Sequence, residues 1–318
     1  MHGRMLYRLM KAPRLLALTF SLAAACSPTP AATPALDAGE DTRITAPPDR
    51  KCSPGENIQI CGKNLVIAHR GGGLLAPEET MVAFQNAATL GVDVLELDVH
   101  ATSDGVVVCM HDAEVDRMTD GKGKIKDMTF AELEKLDAGY KFTTDRGVTF
   151  PHRGKGLKVP KLEEVLAAFP AMAFSVELKQ YSPSIVDATL AVVDATKMAT
   201  KIVFASFDDE TIFAIRKKRP ELTTSLAAGE MVAYGRVTPD TTDYVLPTKI
   251  LQAPIGLATD EKMQIAWKYG ARVHVWTIND RAEMESLLLL GVHGVMTDDP
   301  ALLLKVVSDM GRSKDKNF

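Results

Sequence analysis

Residues 93–111 read DVLELDVHATSDGVVVCMH and contain two apolar segments, 93–98 and 106–111. Only seven residues separate these segments, whereas a crossover between parallel strands needs a dozen or more. The Ser-Asp-Gly sequence at 103–105 lies in the middle of the gap and is typical of a tight hairpin turn. The sequence therefore predicts that strand 106–111 runs antiparallel to strand 93–98.

On both sides of this hairpin, short apolar segments alternate with segments of helical periodicity. Such alternation is typical of repeated βα units and a parallel sheet. Besides 106–111, the candidate strands are 65–69, 93–98, 173–178, 201–206, 223–227, 249–253, 272–277 and 294–297. Eight parallel strands between residues 64 and 310 match the TIM (β/α)8 barrel, which typically has about 250 residues. We therefore expect this α/β fold, with 106–111 as an extra hairpin strand and a small insertion at about 112–160.

The predicted hairpin also brings two polar residues together. With its centre near position 104.5, residue 111 lies directly across from residue 98. We therefore expect His111 to lie beside Asp98.

The overall composition excludes several classes of protein. Of the 318 residues, 46% are hydrophobic and 25% are charged, which is close to the average of globular proteins and unlike disordered or multi-span membrane proteins. The 37 basic residues against 41 acidic ones give a formal charge of -4, so no cationic surface for nucleic acid is expected. Four cysteines are too few for a disulfide scaffold, and their spacing fits no zinc motif.

The first 25 residues have the pattern of a secretory signal peptide. Basic residues precede an apolar run at 15–25, which at 11 residues is too short to cross a bilayer core of about 30 Å as a helix. The segment Leu-Ala-Ala-Ala-Cys at 22–26 resembles a bacterial lipobox, which predicts lipidation of Cys26, with ordinary cleaved secretion as the alternative. Residues 26–51 are rich in Pro and Ala, as in a flexible tether, and precede a domain at 52–318. We therefore expect an extracytoplasmic protein held at a bacterial membrane by a lipid anchor.

The remaining cysteines are consistent with that compartment. Cys52 and Cys61 lie just before the first predicted strand, with eight residues between them. In an oxidising space these two residues are the natural disulfide pair, and two free thiols are the alternative. Cys109 lies inside an apolar strand, where a buried and unreactive thiol is expected.

Three acidic residues on predicted strands point to a cation site. Glu96 and Asp98 are two positions apart, so both side chains lie on one face of their strand, and Glu177 lies on the next barrel strand. Carboxylates that face each other repel unless a cation or a proton intervenes. Oxygen ligands of this kind suit a hard divalent ion, Mg²⁺ or Ca²⁺, and buried ion pairs with Arg70 and Lys179 are the alternative.

The chain resembles a known family in several separate motifs. Residues 67–119 read IAHRGGGLLAPEETMVAFQNAATLGVDVLELDVHATSDGVVVCMHDAEVDRMT, which is similar to the core of the glycerophosphodiester phosphodiesterase family. Three later motifs match in the same order: VELK at 176–179, VHVWTIN at 273–279 and GVMTDDP at 294–300. The resemblance spans about 230 residues.

The resemblance implies a TIM barrel that hydrolyses phosphodiesters with a divalent metal. The implied metal ligands are Glu96, Asp98 and Glu177, and the implied catalytic pair is His69 and His111. The implied substrate contacts are Arg70 and Lys179 near the phosphate, and Trp276 on the pocket wall. Glu79 departs from the pattern, because the family usually has Asn at this position.

Together the motifs imply hydrolysis of a small-molecule glycerophosphodiester to an alcohol and glycerol 3-phosphate, with two histidines acting as acid and base. Two alternatives are a phospholipase-type phosphodiesterase acting on intact lipids, and a surface-binding lipoprotein without catalysis. A degenerate relative is expected to lose a histidine or a carboxylate, and all of them are present. An active, metal-dependent phosphodiesterase is therefore the favoured hypothesis.

Overall fold

The computed structural model describes residues 52–312. The predicted signal peptide, the predicted lipidation site Cys26 and the predicted tether lie outside the described residues. None of the helices within residues 52–312 combines the length and the apolar character that a membrane span requires.

Nine strands in the described part of the chain form one sheet. They are β1 Leu65–Ala68, β2 Val94–Ala101, β3 Val107–Cys109, β4 Ala173–Leu178, β5 Ile202–Ala205, β6 Thr223–Thr224, β7 Ile250–Pro254, β8 Arg272–Trp276 and β9 Gly294–Thr297. The strand order is β6-β5-β4-β2-β1-β9-β8-β7, with all neighbours parallel. A parallel bridge from Ser225 to Ile250 brings the two ends of this order together. The eight strands thus form a nearly closed barrel, and the predicted TIM barrel is confirmed.

The extra strand β3 pairs antiparallel with β2, but the predicted register is wrong by one residue. Val99 lies opposite Cys109. The Met110 N–H donates to the carbonyl oxygen of Asp98 at 2.9 Å. Met110, and not His111, is therefore the residue across from Asp98.

The length of the turn explains this shift. The Thr102 N–H donates to the carbonyl oxygen of Val106, which leaves three residues in the loop. Gly105 takes a φ of +83°, a left-handed conformation that glycine adopts without a steric penalty. A loop of three residues centres the hairpin on position 104, whereas a centre at 104.5 requires an even number of loop residues.

The described residues also form ten helices. They are α1 Ile58–Cys61, α2 Met81–Leu90, α3 Phe130–Leu133, α4 Leu162–Ala168, α5 Val186–Thr196, α6 Asp209–Lys218, α7 Ala228–Arg236, α8 Asp260–Lys268, α9 Arg281–Leu290 and α10 Pro300–Asp309. Helix α2 shows how the sequence sets the limits of a helix. Thr80 Oγ1 accepts a hydrogen bond from the Ala83 N–H at its start, and Gly91 takes a left-handed φ of 82° just after its end. Ala83, Phe84 and Ala87 form its buried face.

The insertion at 112–160 has a small core of its own. It contains α3 and several tight turns. Its buried apolar residues pack with Val108 and Met110 of the hairpin, and they are Val115, Met118, Ile125, Leu133, Ala138 and Val159. An antiparallel bridge from Val108 to Lys161 attaches the end of the insertion to β3. The insertion therefore packs beside the hairpin that carries His111.

Helix α1 lies across the amino-terminal ends of the strands, and we call this end of the barrel the floor. Gln59 Nε2 donates to the carbonyl oxygen of Phe174, near the start of β4, at 2.8 Å. Arg272 Nε, at the start of β8, donates to the carbonyl oxygen of Ile60 at 2.8 Å. His274 is completely buried on β8 above this layer.

A disulfide joins Cys52 to Cys61 at the floor, with their Cα atoms 5.2 Å apart. The bond links the first described residue to the end of α1. Cys109 is free and buried within β3.

Candidate active site

Three carboxylates meet where β2 and β4 run side by side. Glu96 and Asp98 lie on the same face of β2, and the register places Asp98 beside Glu177 of β4. One oxygen atom from each residue lies within 4.8 Å of the others. Glu96 and Asp98 are buried, so little solvent screens the repulsion between them.

Two cations lie against this carboxylate cluster. Lys179 Nζ is 3.0 Å from Glu177 Oε1 and 3.6 Å from Asp98 Oδ1. Arg70 Nε is 3.3 Å from Asp98 Oδ2. The ion pairs considered as an alternative to a metal site are therefore present, but within residues 52–312 none of them includes the Glu96 carboxylate. Glu96 Oε2 instead accepts a hydrogen bond from the Arg70 N–H at 2.8 Å.

The cluster nevertheless retains unbalanced negative charge. Burial and the charge on Asp98 raise the pKa of Glu96 to about 8 and that of Glu177 to about 7. Neither carboxylate oxygen of Asp98 accepts a hydrogen bond from the described residues. Buried carboxylate oxygens with free lone pairs are the ligands that Mg²⁺ and Ca²⁺ take in proteins. These residues therefore fit a divalent cation, which would neutralise the excess charge.

His69 directly follows β1, and a carboxylate holds its ring. His69 Nδ1 is 2.6 Å from Oδ1 of Asp298, which follows β9. Asn279 Nδ2 donates to Asp298 Oδ2 at 2.7 Å, and Asn279 Oδ1 accepts from the Asp298 N–H at 2.8 Å. Burial opposes protonation, but the negative charges of Glu96 and Asp298 raise the pKa of His69 above its usual value. Because Nδ1 is engaged, Nε2 is the nitrogen available for chemistry.

His111 follows β3 and has a similar support. His111 Nδ1 is 2.6 Å from Asp112 Oδ1, and Arg117 Nε donates to Asp112 Oδ2 at 2.6 Å. Arg117 also pairs with Glu78, which in turn pairs with Arg70. Burial lowers the pKa of His111 below its usual value. The two imidazoles therefore differ in basicity, and His69 is the more readily protonated.

One cavity of about 400 Å³ connects these groups at the carboxyl-terminal end of the barrel, which we call the mouth. The structure brings all of the predicted catalytic, metal-binding and substrate-binding residues into its lining: His69, His111, Glu96, Asp98, Glu177, Arg70, Lys179 and Trp276. Trp276 Nε1 donates to the carbonyl oxygen of Gln252 at 2.9 Å, which holds the indole ring at the end of β8.

Residues 69–302 match the glycerophosphoryl diester phosphodiesterase family. The chain belongs to this family. A glycerophosphodiester phosphodiesterase of Caldanaerobacter subterraneus subsp. tengcongensis is 33% identical over 254 residues, which cover 78% of this chain and all of the relative. One of Bacillus subtilis is 33% identical over 271 residues, covering 79% of this chain and 88% of the relative. The crystal structure of an Agrobacterium tumefaciens glycerophosphodiester phosphodiesterase is 27% identical, with a TM-score of 0.64 over 77% of this chain and 99% of that one.

The family membership expected from the motifs is thereby confirmed, and the protein is a phosphoric diester hydrolase of this family. The matched residues 69–302 include all of the site residues named above. The arrangement at the mouth therefore belongs to the part of the chain that the family shares.

Glu79, the residue that departs from the expected motif, is a third buried carboxyl group, next to Glu96 and Asp98, at this phosphodiesterase site. Glu79 Oε1 accepts a hydrogen bond from the Asp98 N–H at 2.8 Å, and Oε2 has no hydrogen-bond partner within the described residues. Its φ is +59°, in the left-handed region that Asn enters more easily than Glu. Burial and the charges of Asp98 and Glu96 raise its pKa well above the usual value. Burial thus favours the protonated, neutral form of Glu79 beside the predicted metal ligands.

The residues that support the two histidines were not predicted as site residues. Asp298 lies in the GVMTDDP motif, and Asp112 directly follows His111. An acidic residue near the end of a strand was therefore the sequence feature that could have indicated a partner for each histidine. Asn279 and Arg117 also lie within matched motifs, but neither is acidic, so the sequence does not show which histidine each would support. Their roles follow only from the distances to Asp298 and Asp112.

Proposed function

We propose that this phosphodiesterase hydrolyses glycerophosphodiesters to an alcohol and glycerol 3-phosphate. The observation that carries the proposal is the single cavity in which two histidines, each held at Nδ1 by a carboxylate, share the space with a three-carboxylate cluster. A phosphodiester bound in this cavity would therefore be next to both proton-transfer groups and cationic groups.

The proposed ligands of one divalent cation, Mg²⁺ or Ca²⁺, are Glu96, Asp98 and Glu177. When bound, such a cation would neutralise the charge of the phosphate and polarise the attacking oxygen. The unsatisfied oxygens of Asp98 and the raised pKa of Glu96 support this assignment.

The protein's own side chains serve the remaining steps of the reaction. The attacking hydroxyl must lose a proton, and the leaving alkoxide must gain one. His69 and His111 are the proposed base and acid, because both rings line the cavity and imidazole is the side chain whose ordinary pKa lies near neutral pH. Arg70 and Lys179 stabilise the charge that gathers on the non-bridging oxygens of the phosphate.

The test is hydrolysis of glycerophosphocholine by the wild-type enzyme, by His111→Ala and by His152→Ala. We expect EDTA to abolish activity, and Mg²⁺ or Ca²⁺ to restore it. We expect His111→Ala to lower kcat by about 100- to 10,000-fold, the usual contribution of a general acid or base. His152 lies in the insertion, outside the lining of the cavity, and serves as the matched control. Full activity in EDTA together with full activity of His111→Ala would overturn the proposal.

We also propose that the protein is a bacterial lipoprotein, lipidated at Cys26 and exposed outside the cytoplasm. The basic residues, the short apolar run and the Leu-Ala-Ala-Ala-Cys segment support this localisation. In cells fed a labelled fatty acid, we expect label on the wild-type protein in the membrane fraction, and none on Cys26→Ser. Equal labelling of the two proteins would refute the lipid anchor.

A further inference from the structure

Glu78 lies between two arginines that belong to different parts of the site. It is a partly buried residue in the segment between β1 and α2. Glu78 Oε1 accepts a hydrogen bond from Arg117 Nη2, in the insertion, at 2.5 Å and another from Arg70 Nη1, directly after β1, at 3.1 Å. One carboxylate oxygen therefore joins the insertion to the segment that carries the phosphate-contacting arginine.

The contacts on either side of Glu78 form a continuous row of side chains, which we call the ion-pair row. Its members, in order of contact, are His111, Asp112, Arg117, Glu78 and Arg70. Burial opposes ionisation of the two carboxylates, but the hydrogen bond from Arg117 helps to hold the pKa of each below its usual value. The four members after the histidine therefore alternate in charge.

The two ends of the ion-pair row have different parts in the proposed reaction. His111, at one end, is a proposed proton-transfer group, and Arg70, at the other end, is proposed to contact the phosphate. Both of these residues line the cavity at the mouth, whereas the three residues between them do not. The inner members can therefore affect a substrate in this cavity only through the residues at the two ends.

Arg117 supplies geometry to the row more than stability to the fold. Its side chain is 45% exposed, and an ion pair of such an exposed group contributes little to the free energy of unfolding. Its guanidinium is a rigid fork of donors, in which Nε donates to Asp112 Oδ2 at 2.6 Å while Nη2 donates to Glu78. Arg117 thus fixes the position of Asp112, which holds the His111 ring, relative to Glu78.

We propose that Glu78 and Arg117 are positioning residues that hold His111 and Arg70 in a fixed relation to each other. The proton-transfer group and the phosphate-contacting group then face the same diester. This inference rests on the proposed function, because the proposed function assigns those roles to His111 and Arg70. Replacing Arg117 loosens the His111 end, since Glu78 keeps its own contact with Arg70. Replacing Glu78 loosens both ends.

The experiment measures kcat for hydrolysis of glycerophosphocholine by single and double variants. We expect Arg117→Gln to lower kcat by about 10- to 100-fold, because it lets a reacting group leave its productive position. In the His111→Ala background the same substitution should lower kcat by less than about threefold, since the group it positions is already gone. Glu78→Gln should lower kcat in both backgrounds, because it also releases Arg70. The melting temperature of Arg117→Gln should fall by less than about 4 °C.

Two further arginine variants separate positioning from a structural role of the insertion. Arg117→Lys keeps the charge but lacks the fork, so its kcat should lie between those of the wild-type enzyme and Arg117→Gln. Arg153 is the matched control in the same insertion, where it donates to the carbonyl oxygen of Tyr140 and lies over the rings of Tyr140 and Phe150. Arg153→Gln should leave kcat unchanged.

The outcomes distinguish this inference from the proposed function. An unchanged kcat in Arg117→Gln, or an equal loss in the wild-type and His111→Ala backgrounds, overturns the positioning role and leaves the proposed function standing. If Arg117→Gln does not fold, Arg117→Lys is compared in the same two backgrounds and decides in the same way. A loss in Glu78→Gln that disappears in the His111→Ala background overturns the link to Arg70. Full activity of His111→Ala contradicts the proposed acid–base pair itself.

Discussion

At the mouth of the barrel, Glu96 and Asp98 are buried with carboxylate charge that the surrounding residues only partly balance. At the floor, His274 and His293 are equally buried, but burial lowers the pKa of His274 to about 4 and that of His293 to about 3. The floor histidines are therefore neutral near pH 7. The two ends of one barrel thus bury different kinds of polar group: neutral imidazoles at the floor, and at the mouth a cluster of carboxyl groups in which the pKa of Glu96 is raised to about 8.

The difference lies in what satisfies the buried groups. At the floor, backbone atoms serve as partners: the Val273 N–H donates to His293 Nδ1, and Gln59 donates to the carbonyl oxygen of Phe174. At the mouth, backbone and side chains leave the carboxylates in excess. At the floor a neutral imidazole stays buried even where, as at His274, neither ring nitrogen has a hydrogen-bond partner among residues 52–312, whereas a buried charge requires a partner or a ligand of opposite charge. This contrast distinguishes a structural polar layer from a functional one.

The largest expected effect is the loss of kcat when a histidine at the mouth is substituted, compared with the substitution of a histidine at the floor. His69→Ala should lower kcat by about 100- to 10,000-fold with little loss of stability, because the ring lies in the cavity and serves proton transfer. His274→Gln should retain kcat within about threefold but lower the melting temperature, because it changes a fully packed side chain. Kinetics with glycerophosphocholine and thermal unfolding check both. A large loss of kcat in a His274→Gln variant that still folds would contradict the claim that only the mouth histidines serve catalysis.

The floor should also make the protein sensitive to acid. As the pH falls below about 6.5, the unfolded state protonates His274 and His293 while the folded state does not. Their contribution to stability is complete above that pH and is lost as the pH falls toward about 4. Each histidine contributes a slope of up to about 1.4 kcal/mol per pH unit.

Urea unfolding from pH 7 to pH 4.5, with saturating Mg²⁺ to hold the mouth carboxylates ionised, measures this slope. His274→Gln is expected to have a shallower slope than the wild-type protein, since one titrating group is gone. Equal slopes in the two proteins would mean that the floor histidines are not the acid-sensitive element.

A smaller effect is expected from the support of His69. Asp298→Asn keeps the shape of the side chain but removes its charge, so we expect kcat to fall by about 10- to 100-fold. Asp298 raises the pKa of His69, so the limb of the pH–rate profile that belongs to His69 should move to lower pH. Asp240→Asn, at an exposed position away from the cavity, is the control. An unmoved pH profile would show that Asp298 does not act through His69.

The smallest effect concerns Glu79. Glu79→Asn removes one buried carboxyl group and suits the left-handed backbone, so the metal-free protein should gain about 1 kcal/mol of unfolding free energy. Mg²⁺ or Ca²⁺ should narrow this gap, because a cation bound only to the folded state stabilises the more negative site more. Glu114→Asn, at an exposed position, should change stability by less than about 0.5 kcal/mol. A lower stability of metal-free Glu79→Asn would contradict the charge argument.

Much of the mouth could be predicted because its residues lie at the ends of strands. Glu96, Asp98 and Glu177 follow from the two-residue period of a strand and from the neighbouring positions of β2 and β4. The support of His69 could not be predicted in the same way. His69 and Asp298 are 229 positions apart, and their contact depends on β9 closing against β1.

The errors and omissions have specific physical causes. The hairpin register was wrong by one residue, because a three-residue loop and a two-residue loop are both compatible with Ser-Asp-Gly. The floor was not predicted at all. Gln59 and Phe174 are 115 positions apart, and a four-residue helix carries too little periodicity to show which face it buries.

Cys52, the first described residue, and the phosphodiester cavity lie at opposite ends of the barrel. The described chain enters at the floor, next to α1, while the phosphodiester cavity opens at the other end of the strands. An affinity tag, a fusion partner or a solid support joined ahead of Cys52 would thus meet the barrel at its closed end. The enzyme should accept immobilisation from that side with its opening still accessible to dissolved substrate, whereas a bulky label placed on the loops after β5 or β7 would stand in the entrance.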